Sequence, residues 1–355
     1  MRKAIILALL CTCLIVNAED RVYSPSDPHI QYVGRICFQN PERPRFSYPG
    51  TQMNVAFEGT TLRMKCKPGS GYFMARIDEA EPFKIAFRGP RDSVVTLCTA
   101  LPQGRHTAHV MYCIEGYEYL PEFWGFITDG QLIAPPAIPS KKFEFIGNSI
   151  TCGYGNEGRI GEPFLFETEN HYYGYVQLTM RRLEAVASII ARSGIGAYRN
   201  YGQAKTGSPG YNMPAQYEYT LYNDHSERWD FSRWQPDVVC VNLGTNDLST
   251  EPYDTALLKQ GYKKILEQVR TGNPKAKIVF LCGPMLHNKE LEICKQLLNE
   301  VTAEAHKAGD KQVYRFDFTP LDDSLSYGTD WHPGLRQHLK MADELTPFLR
   351  KLLED

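Results

Sequence analysis

Ser149 and His332 are the residue types that acyl transfer needs as nucleophile and general base. Ser149 follows a predicted strand on a tight turn with Gly147, which would present its hydroxyl at the edge of a sheet. His332 can accept a proton near neutral pH, and Asp330 precedes it by two residues, on the same side of an extended loop. We predict that His332 activates Ser149 and that Asp330 holds the imidazole tautomer. In the alternative interpretation Asp330 caps its loop and a backbone carbonyl orients the imidazole.

Two further segments could stabilise the negative charge that develops on a carbonyl oxygen during acyl transfer. Gly194 follows a predicted strand, and its lack of a side chain lets a backbone N–H approach a ligand. Asn246 follows the most hydrophobic strand and offers a neutral N–H donor. Together with the Ser149 backbone N–H, these groups would form an oxyanion hole. Taken alone, the Gly194 segment is better explained as an ordinary turn, and the Asn246 segment is equally consistent with an Asx-turn that closes its strand.

The secondary-structure pattern changes near residue 140. Before that point, short alternating strands are separated by turn residues, which is typical of a β-sandwich or jelly roll. Three prolines within residues 131–140 favour an extended connection. We predict an N-terminal β-sandwich domain over residues 19–135. Its predicted strands are 52–57, 61–66, 72–77, 83–87, 93–99 and 107–114.

After residue 140, predicted strands alternate with predicted helices. This alternation indicates an α/β domain with a parallel sheet and helices on both faces, over residues 136–355. Functional groups of such a sheet gather at the carboxyl ends of its strands, where the four segments lie. Pro347 is expected to kink or restart the last helix. The predicted strands are 142–146, 184–191, 237–242, 276–282 and 312–316, and the predicted helices are 171–182, 254–270, 290–308 and 335–352.

The composition is that of an ordinary globular protein and argues against two kinds of partner. The chain has 355 residues, of which 43% are hydrophobic and 23% charged, with a formal net charge of −2. This balance gives no electrostatic basis for binding nucleic acid or an anionic membrane surface. No cluster of His, Asp, Glu and Cys has the spacing of a metal site, so we predict neither a metal nor another cofactor.

Residues 1–18 have the pattern of a secretory signal peptide, because a short basic start precedes an apolar run too short to span a bilayer. A lipoprotein signal is the alternative, since Cys11 and Cys13 lie where a lipidated cysteine could be. We expect a secreted or periplasmic protein whose mature chain does not span a membrane. Export permits disulfides, but Cys240 and Cys282 fall in apolar strands and are expected to be buried thiols.

The four segments, taken in chain order, resemble the SGNH hydrolases, also called the GDSL family. Its four namesake residues would be Ser149, Gly194, Asn246 and His332. The strings Gly-Asn-Ser-Ile-Thr-Cys-Gly-Tyr-Gly, Leu-Gly-Thr-Asn-Asp and Asp-Trp-His-Pro narrow the resemblance to the second carbohydrate esterase family. The stretch Val-Gly-Arg at residues 33–35 resembles the opening of that family's first domain.

Two positions depart from the common pattern of the superfamily. Asn148 stands where the first motif usually has an aspartate, which the family does not use in its chemistry. Thr329 stands at the usual position of the acid, three residues before the histidine, and Asp330 is only two residues before it. Some members of the carbohydrate esterase family have a Ser-His dyad whose histidine is held by a backbone carbonyl.

The resemblance implies a jelly-roll domain followed by an SGNH three-layer domain that removes acetyl groups from acetylated polysaccharides. Family members act on xylan- and mannan-type plant polymers, often at the primary 6-position. The sugar is expected to lie across Trp331 and Tyr154, in the loops that carry His332 and Ser149. The tyrosine-rich residues 200–222 would form another wall of the site or a packed structural loop.

Two rival hypotheses use the same residues differently. The first is an SGNH esterase or lipase that acts on another ester, for which an exposed apolar acyl pocket would be expected. The second is a carbohydrate-binding protein that keeps the fold without catalysis. The presence of all four core residues argues against the second.

Overall fold

The computed structural model describes residues 19–354. The signal peptide predicted at residues 1–18, with its two cysteines, lies outside the described residues. Within residues 19–354 no helix is long and apolar enough to cross a membrane. All eight cysteines of this range are free thiols, and Cys240 and Cys282 are buried as expected.

The N-terminal half consists of antiparallel strands that enclose one core. Strands such as Leu62–Cys66 alternate strictly, so that Leu62, Met64 and Cys66 are buried while Arg63 and Lys65 reach towards solvent. The strands are β1 (Arg21–Tyr23), β2 (Gln31–Val33), β3 (Gln52–Glu58), β4 (Leu62–Cys66), β5 (Gly71–Ile77), β6 (Phe83–Phe87), β7 (Val94–Cys98), β8 (Arg105–Tyr112), β9 (Phe123–Thr128) and β10 (Gln131–Ile133).

These strands form two sheets that pack face to face. One sheet has the order β1-β9-β4-β7, and the other has the order β10-β3-β8-β5-β6 with β2 paired to β3. Apolar side chains from both sheets, including Phe57, Phe73 and Phe126, belong to one buried cluster. The predicted strands 52–57, 61–66, 72–77, 83–87, 93–99 and 107–114 are thus confirmed with small differences at their ends.

The C-terminal half contains a five-stranded parallel sheet in the order β12-β11-β15-β16-β17. Its central strand β15 has no exposed residue, as expected for a strand covered by helices on both faces. A short hairpin, β13-β14, lies outside the main sheet. The strands are β11 (Lys141–Gly147), β12 (Ala185–Ala191), β13 (Tyr219–Leu221), β14 (Asp224–Arg228), β15 (Val238–Asn242), β16 (Lys277–Cys282) and β17 (Val313–Asp317).

Amphipathic helices cover both faces of this sheet. The helices are α1 (Ser149–Cys152), α2 (Tyr175–Leu183), α3 (Met213–Gln216), α4 (Thr245–Leu248), α5 (Thr255–Gly272), α6 (Asn288–Lys307) and α7 (Leu335–Glu354). Residues of α5 and α6 share a core with Val239 and Val241 on one face. Residues of α2 and α7 share a core with Cys240 on the other. The predicted fold class, a β-sandwich followed by a three-layer α/β domain, is confirmed.

Two helix predictions need correction. The helix predicted over residues 171–182 starts at Tyr175, because His171 lies in a separate 3-10 turn, where its buried Nδ1–H donates to the Thr151 carbonyl over 2.9 Å. The last helix neither restarts nor breaks at Pro347. Buried Leu345 and Leu349 on either side of Pro347 keep the helix packed against the sheet despite the lost backbone hydrogen bond.

A buried arginine joins the two halves of the molecule. Arg35, from the N-terminal half, is fully buried and donates to the Tyr219 carbonyl over 2.9 Å. Its guanidinium lies 3.5 Å from the buried Glu144 carboxylate on β11 and 4.9 Å from the centre of the Tyr217 ring. A buried ion pair of this kind costs several kcal/mol if one partner is removed, so it fixes how the halves pack.

Candidate active site

Three of the predicted site residues follow three neighbouring strands of the parallel sheet. Strand β11 lies between β12 and β15, and its last residue, Gly147, pairs with the last residues of both neighbours, Ala191 and Asn242. The turns that carry Ser149, Gly194 and Asn246 therefore leave the sheet side by side. The chain also changes direction across the sheet at β11, the kind of position where α/β sheets bind ligands.

A tight turn presents Ser149 at the end of β11. Gly147 permits the turn, since a Cβ at this position would lie 2.1 Å from Thr151 Oγ1. The Asn148 side chain caps α1 by accepting from the Ile150 N–H over 3.1 Å. The Ser149 N–H, at the first position of this short helix, has no hydrogen-bond partner among residues 19–354. The turn thus offers a hydroxyl and a free donor together.

The imidazole of His332 is in direct contact with the Ser149 hydroxyl. His332 Nε2 lies 2.8 Å from Ser149 Oγ, which is hydrogen-bonding distance for a base that removes the hydroxyl proton. The other ring nitrogen, Nδ1, donates to the backbone carbonyl of Asp330 over 3.1 Å. This bond fixes the tautomer with Nε2 unprotonated, so that Nε2 can accept the proton of Ser149.

The prediction that the Asp330 carboxylate orients His332 is therefore corrected. The loop is not extended: residues Thr329–Trp331 form a 3-10 turn in which Asp330 and Trp331 have φ angles of 50° and 61°. This left-handed backbone aims the Asp330 carbonyl at the imidazole and turns the carboxylate away. The carboxylate instead accepts a hydrogen bond from the Tyr154 hydroxyl over 2.9 Å. Strained residues of this kind cluster at functional sites.

Aromatic side chains and backbone bonds hold the His332 loop against the Ser149 loop. The Tyr154 ring lies 4.4 Å from the imidazole and stacks on Phe164 at 4.0 Å. The Thr329 N–H donates to the Gly155 carbonyl over 3.0 Å. Although the loop between β17 and α7 is long, these contacts fix the position of His332. Sequence reasoning did not identify Phe164 because it lies in an irregular segment without a recognisable motif.

Burial keeps His332 neutral. Loss of solvent lowers the pKa of the imidazole below its usual value of 6.5, and hydrogen bonds to the Asp330 and Thr329 carbonyls and the nearby Asp330 charge partly oppose this shift. At neutral pH the imidazole is therefore unprotonated.

The geometry of Gly194 and Asn246 suits an oxyanion hole. Gly194 has a φ of 79°, a conformation that favours glycine, and its N–H has no hydrogen-bond partner among residues 19–354. The buried Asn246 side chain donates one amide hydrogen to the Ile195 carbonyl over 2.8 Å. That bond orients the amide and leaves its second hydrogen available to a ligand.

A buried carboxylate that the sequence analysis did not assign shapes the Gly194 loop. Asp247 accepts the backbone N–H groups of Ala197, Tyr198 and Arg199 over 2.9, 2.8 and 3.1 Å. Burial raises the pKa of this carboxyl, and the three N–H donors oppose the rise. The residue stands beside Asn246 in the string Leu-Gly-Thr-Asn-Asp, but nothing in the string shows that it binds a loop some fifty residues earlier.

Open clefts adjoin the reaction centre, and the two residues expected to touch sugar line different ones. Tyr154 lines a cleft of about 520 Å³ together with Tyr117 and Phe166. Trp331 is 61% exposed and lines a cleft of about 600 Å³ on another side of its loop, together with Tyr327. The structure thus separates surfaces that the sequence analysis treated as one.

The tyrosine-rich residues 200–222 form the wall of a third cleft. This cleft has a volume of about 690 Å³ and is lined by Gly194, Tyr201, Tyr211 and Tyr222. Tyr201 and Tyr211 are each 62% exposed, so their rings face solvent rather than a core. Exposed tyrosines beside the oxyanion loop favour the interpretation of this stretch as a wall of the site.

Three buried groups of the types that bind metals lie together, which the sequence spacing did not predict. Side-chain atoms of Glu115, Cys152 and Glu169 lie within 4.8 Å of one another. Three of the four carboxylate oxygens already accept hydrogen bonds, two from Ser193 and one from the Glu115 N–H. Because these oxygens are directed at protein donors, the cluster is already satisfied in large part without an ion.

The fold is that of the SGNH class of hydrolases, with Ser149 and His332 in contact at the edge of the sheet, and family comparisons agree with this class. A sequence model described as "GDSL-like Lipase/Acylhydrolase family" matches residues 145–340, and one described as "Carbohydrate esterase 2 N-terminal" matches residues 32–136. The chain belongs to carbohydrate esterase family 2, a family of carboxylic ester hydrolases with the GDSL fold.

The similar proteins include a cellulase/esterase, an acetylxylan esterase and a solved carbohydrate esterase. The chain is 37% identical to "Cellulase/esterase CelE" of Acetivibrio thermocellus over 95% of its own length, but it spans only 41% of that relative. It is 28% identical to "Acetylxylan esterase / glucomannan deacetylase" of Cellvibrio japonicus over 99% of both chains. A solved family two carbohydrate esterase from Clostridium thermocellum, in complex with cellohexaose, is 38% identical, with a TM-score of 0.84 over 92% of this chain and 99% of that one.

Proposed function

We propose that this chain is an exported esterase that removes O-acetyl groups from plant cell-wall polysaccharides of the xylan or mannan type. The observation that carries the proposal is the 2.8 Å contact between His332 Nε2 and Ser149 Oγ, beside two free backbone N–H groups. A serine hydroxyl is inert towards esters unless a base takes its proton, and here that base is held in contact with it.

The reaction would proceed in two acyl-transfer steps. His332 takes the proton of Ser149 as the hydroxyl attacks the acetyl carbonyl, and the developing oxyanion is bound by the N–H groups of Ser149 and Gly194 and by the Asn246 amide. The imidazolium then protonates the departing sugar oxygen, which leaves an acetyl group on Ser149. Water, deprotonated by His332, attacks this ester and releases acetate, with Ser149 regaining its proton.

The surroundings of the reaction centre support a carbohydrate as the alcohol part of the ester. Half-buried and exposed tyrosines flank Gly194 in an open cleft that also contains Asn200 and Gln203, whereas a lipase would need an apolar acyl pocket. The related esterase solved in complex with cellohexaose supports a glycan as ligand. Preference for the primary 6-position is part of the proposal and rests on the family resemblance.

Carbohydrate binding without catalysis is the second candidate function, and one similar structure supports it. A solved relative that is 27% identical over 91% of this chain is described as having an active site with "divergent catalytic and non-catalytic binding functions". In this chain the complete Ser149–His332 pair supports catalysis as the main function.

Acetate release across a panel of esters tests the proposal. Acetylated xylan, acetylated glucomannan and 6-O-acetyl monosaccharides should release acetate, and acetyl esters should turn over much faster than octanoyl esters. Faster turnover of octanoyl esters would assign the chain to a lipid-type ester. Binding of the polysaccharides without any acetate release would support the non-catalytic candidate.

We also propose that residues 1–18 direct export. Expression of the full-length chain should yield an extracellular or periplasmic protein whose first residue is Glu19. An unprocessed intracellular chain would contradict the prediction of a signal peptide. A lipid attached at Cys11 or Cys13 would show that the segment is a lipoprotein signal instead.

A further inference from the structure

We infer that Glu115, a residue of the N-terminal half, positions the oxyanion hole by holding Ser193, the residue directly before Gly194. This inference rests on the proposed function, because it concerns the oxyanion hole of that reaction. It would make the β-sandwich a working part of the catalytic centre. Glu115 acts through the loop that it holds and is a positioning residue, since its carboxylate is directed at Ser193.

The carboxylate of Glu115 engages both hydrogen-bond donors of Ser193. One oxygen accepts the Ser193 backbone N–H and the other accepts the Ser193 hydroxyl, each over 2.5 Å. The N–H of Gly194 belongs to the very next peptide unit. Gly194 has no side chain of its own to fix its conformation, so the orientation of that N–H depends on how Ser193 is held.

Glu115 is itself fixed between the two halves of the molecule. It lies in the connection between β8 and β9 and is 1% exposed. Its N–H donates to Glu169 Oε2 over 3.3 Å, and the next residue, Gly116, donates to the Ser47 carbonyl over 2.9 Å. On its other side, Cys113 accepts from the His171 N–H over 2.8 Å. The carboxylate therefore projects from an anchored backbone.

The electrostatics of the two carboxyls agree with the hydrogen bonds that make Glu115 an acceptor. Burial raises the pKa of both carboxyls, and that of Glu169 well above its usual range because the Glu115 charge adds to burial. At Glu115 the two Ser193 hydrogen bonds and the positive charge of Arg192 oppose the rise. Glu169 therefore takes up a proton more readily than Glu115, and an ionised Glu115 receives charge-assisted hydrogen bonds, which are stronger than neutral ones.

This arrangement matters because an oxyanion hole works through prior orientation of its donors. Removing one donor from such a site costs about 10²–10³ in kcat, and a donor that is present but poorly oriented loses part of that contribution. The Asp247 carboxylate holds the far end of the same loop, so Glu115 and Asp247 support the Gly194 turn from two directions.

The test compares Glu115→Ala, Glu115→Gln and Ser193→Ala with the wild-type protein on an acetyl ester. Glu115→Ala should lower kcat by about 10- to 100-fold with KM within about twofold, since the donor matters mainly in the transition state. Glu115→Gln keeps an oxygen for the Ser193 N–H and has an amide that can donate to the Ser193 hydroxyl, so this variant should retain most of the wild-type activity.

Ser193→Ala removes only one of the two hydrogen bonds and should cost about threefold to tenfold in kcat. Glu81→Ala, exposed in the same half, is the matched control and should behave as wild type.

The outcomes separate this inference from the proposed function. A wild-type protein that releases no acetate would refute the proposed function. An active wild type together with a folded Glu115→Ala variant of unchanged kcat would refute the role of Glu115 alone. If Glu115→Ala does not fold, Ser193→Ala decides: unchanged kcat overturns the inference, and a selective fall in kcat supports it. A variant that changes only KM would make Glu115 a substrate-binding residue instead.

Discussion

The two sides of the proposed reaction centre are built in different ways. On the side of the proposed base, His332 lies on a long loop after β17 and is contacted by a backbone carbonyl and by the tilted ring of Tyr154. On the oxyanion side, Gly194 and Asn246 lie on turns that directly follow sheet strands, and two buried carboxylates bind the Gly194 loop. A backbone carbonyl and an aromatic ring contact His332, whereas the side chains of two buried acidic residues bind the Gly194 loop.

This difference sets how each side should respond to substitution. A backbone carbonyl remains when its own side chain is changed, so the base side should tolerate changes at Asp330. A buried carboxylate or amide has no replacement when it is removed, because its donors or acceptors are then left unsatisfied. We therefore expect substitutions on the oxyanion side to lower kcat more than substitutions of the residues that surround His332.

Asn246→Ala should have the largest effect among the supporting residues. Loss of its amide donor should lower kcat by about 10²–10³ with little change in KM, since the bond to the oxyanion forms in the transition state. Steady-state kinetics on an acetyl ester would measure this. Asn40→Ala, at an exposed position of the N-terminal half, should retain wild-type kcat. If the Asn246→Ala variant were impaired only in KM, Asn246 would be a substrate contact. That result would contradict the expected difference in kcat between the two sides.

Asp330→Asn should have a much smaller effect. Because the Asp330 carbonyl, and not its carboxylate, accepts the His332 Nδ1–H, the variant should lose at most about tenfold in kcat, whereas an orienting carboxylate would be worth about 10³–10⁴. Tyr154→Phe, which removes the hydroxyl bonded to the same carboxylate and keeps the stacked ring, should show a similarly small loss. A loss of about 10³ or more in a folded Asp330→Asn enzyme would restore the triad.

The pH dependence of kcat/KM should have its midpoint below the usual pKa of histidine. His332 must be neutral to accept a proton, and burial lowers its pKa below 6.5, so kcat/KM should rise with pH through a midpoint below 6.5. The Asp330 charge raises this pKa, so Asp330→Asn should move the midpoint further down. A midpoint above 6.5, or an upward shift in the variant, would contradict the account of the base side.

Chelation should have the smallest effect. The buried cluster of Glu115, Cys152 and Glu169 is directed at protein donors, so EDTA should leave kcat within about twofold of its original value. Loss of activity with EDTA and recovery with zinc would show that the oxyanion side depends on a metal.

Much of the fold was predictable because its local patterns agree with its tertiary structure. Alternation in strands such as β4 and the unbroken apolar run of β15 reflect burial on one face and on two faces. Ser149, Gly194, Asn246 and His332 were predictable because each follows an element of one sheet in a fixed order. Their catalytic roles remain predictions until they are tested.

The features of the site that were not predicted from the sequence depend on contacts between distant segments or on backbone conformation. The left-handed φ of Asp330 decides that its carbonyl faces His332, and no residue type in Gly-Thr-Asp-Trp-His signals that conformation. Glu115 reaches Ser193 across 78 residues and from the other half of the chain. Spacing arguments along a sequence cannot detect such a contact, because the packing of the two halves creates it.

Acetate release by the wild type and by Ser149→Ala tests the central claim most directly. The wild type should release acetate from acetylated polysaccharide, and the folded variant, which lacks only the attacking hydroxyl, should be slower by about 10⁴–10⁶ in kcat. A Ser149→Ala protein that kept a tenth of the wild-type rate would contradict the account, because acetyl transfer would then not pass through Ser149.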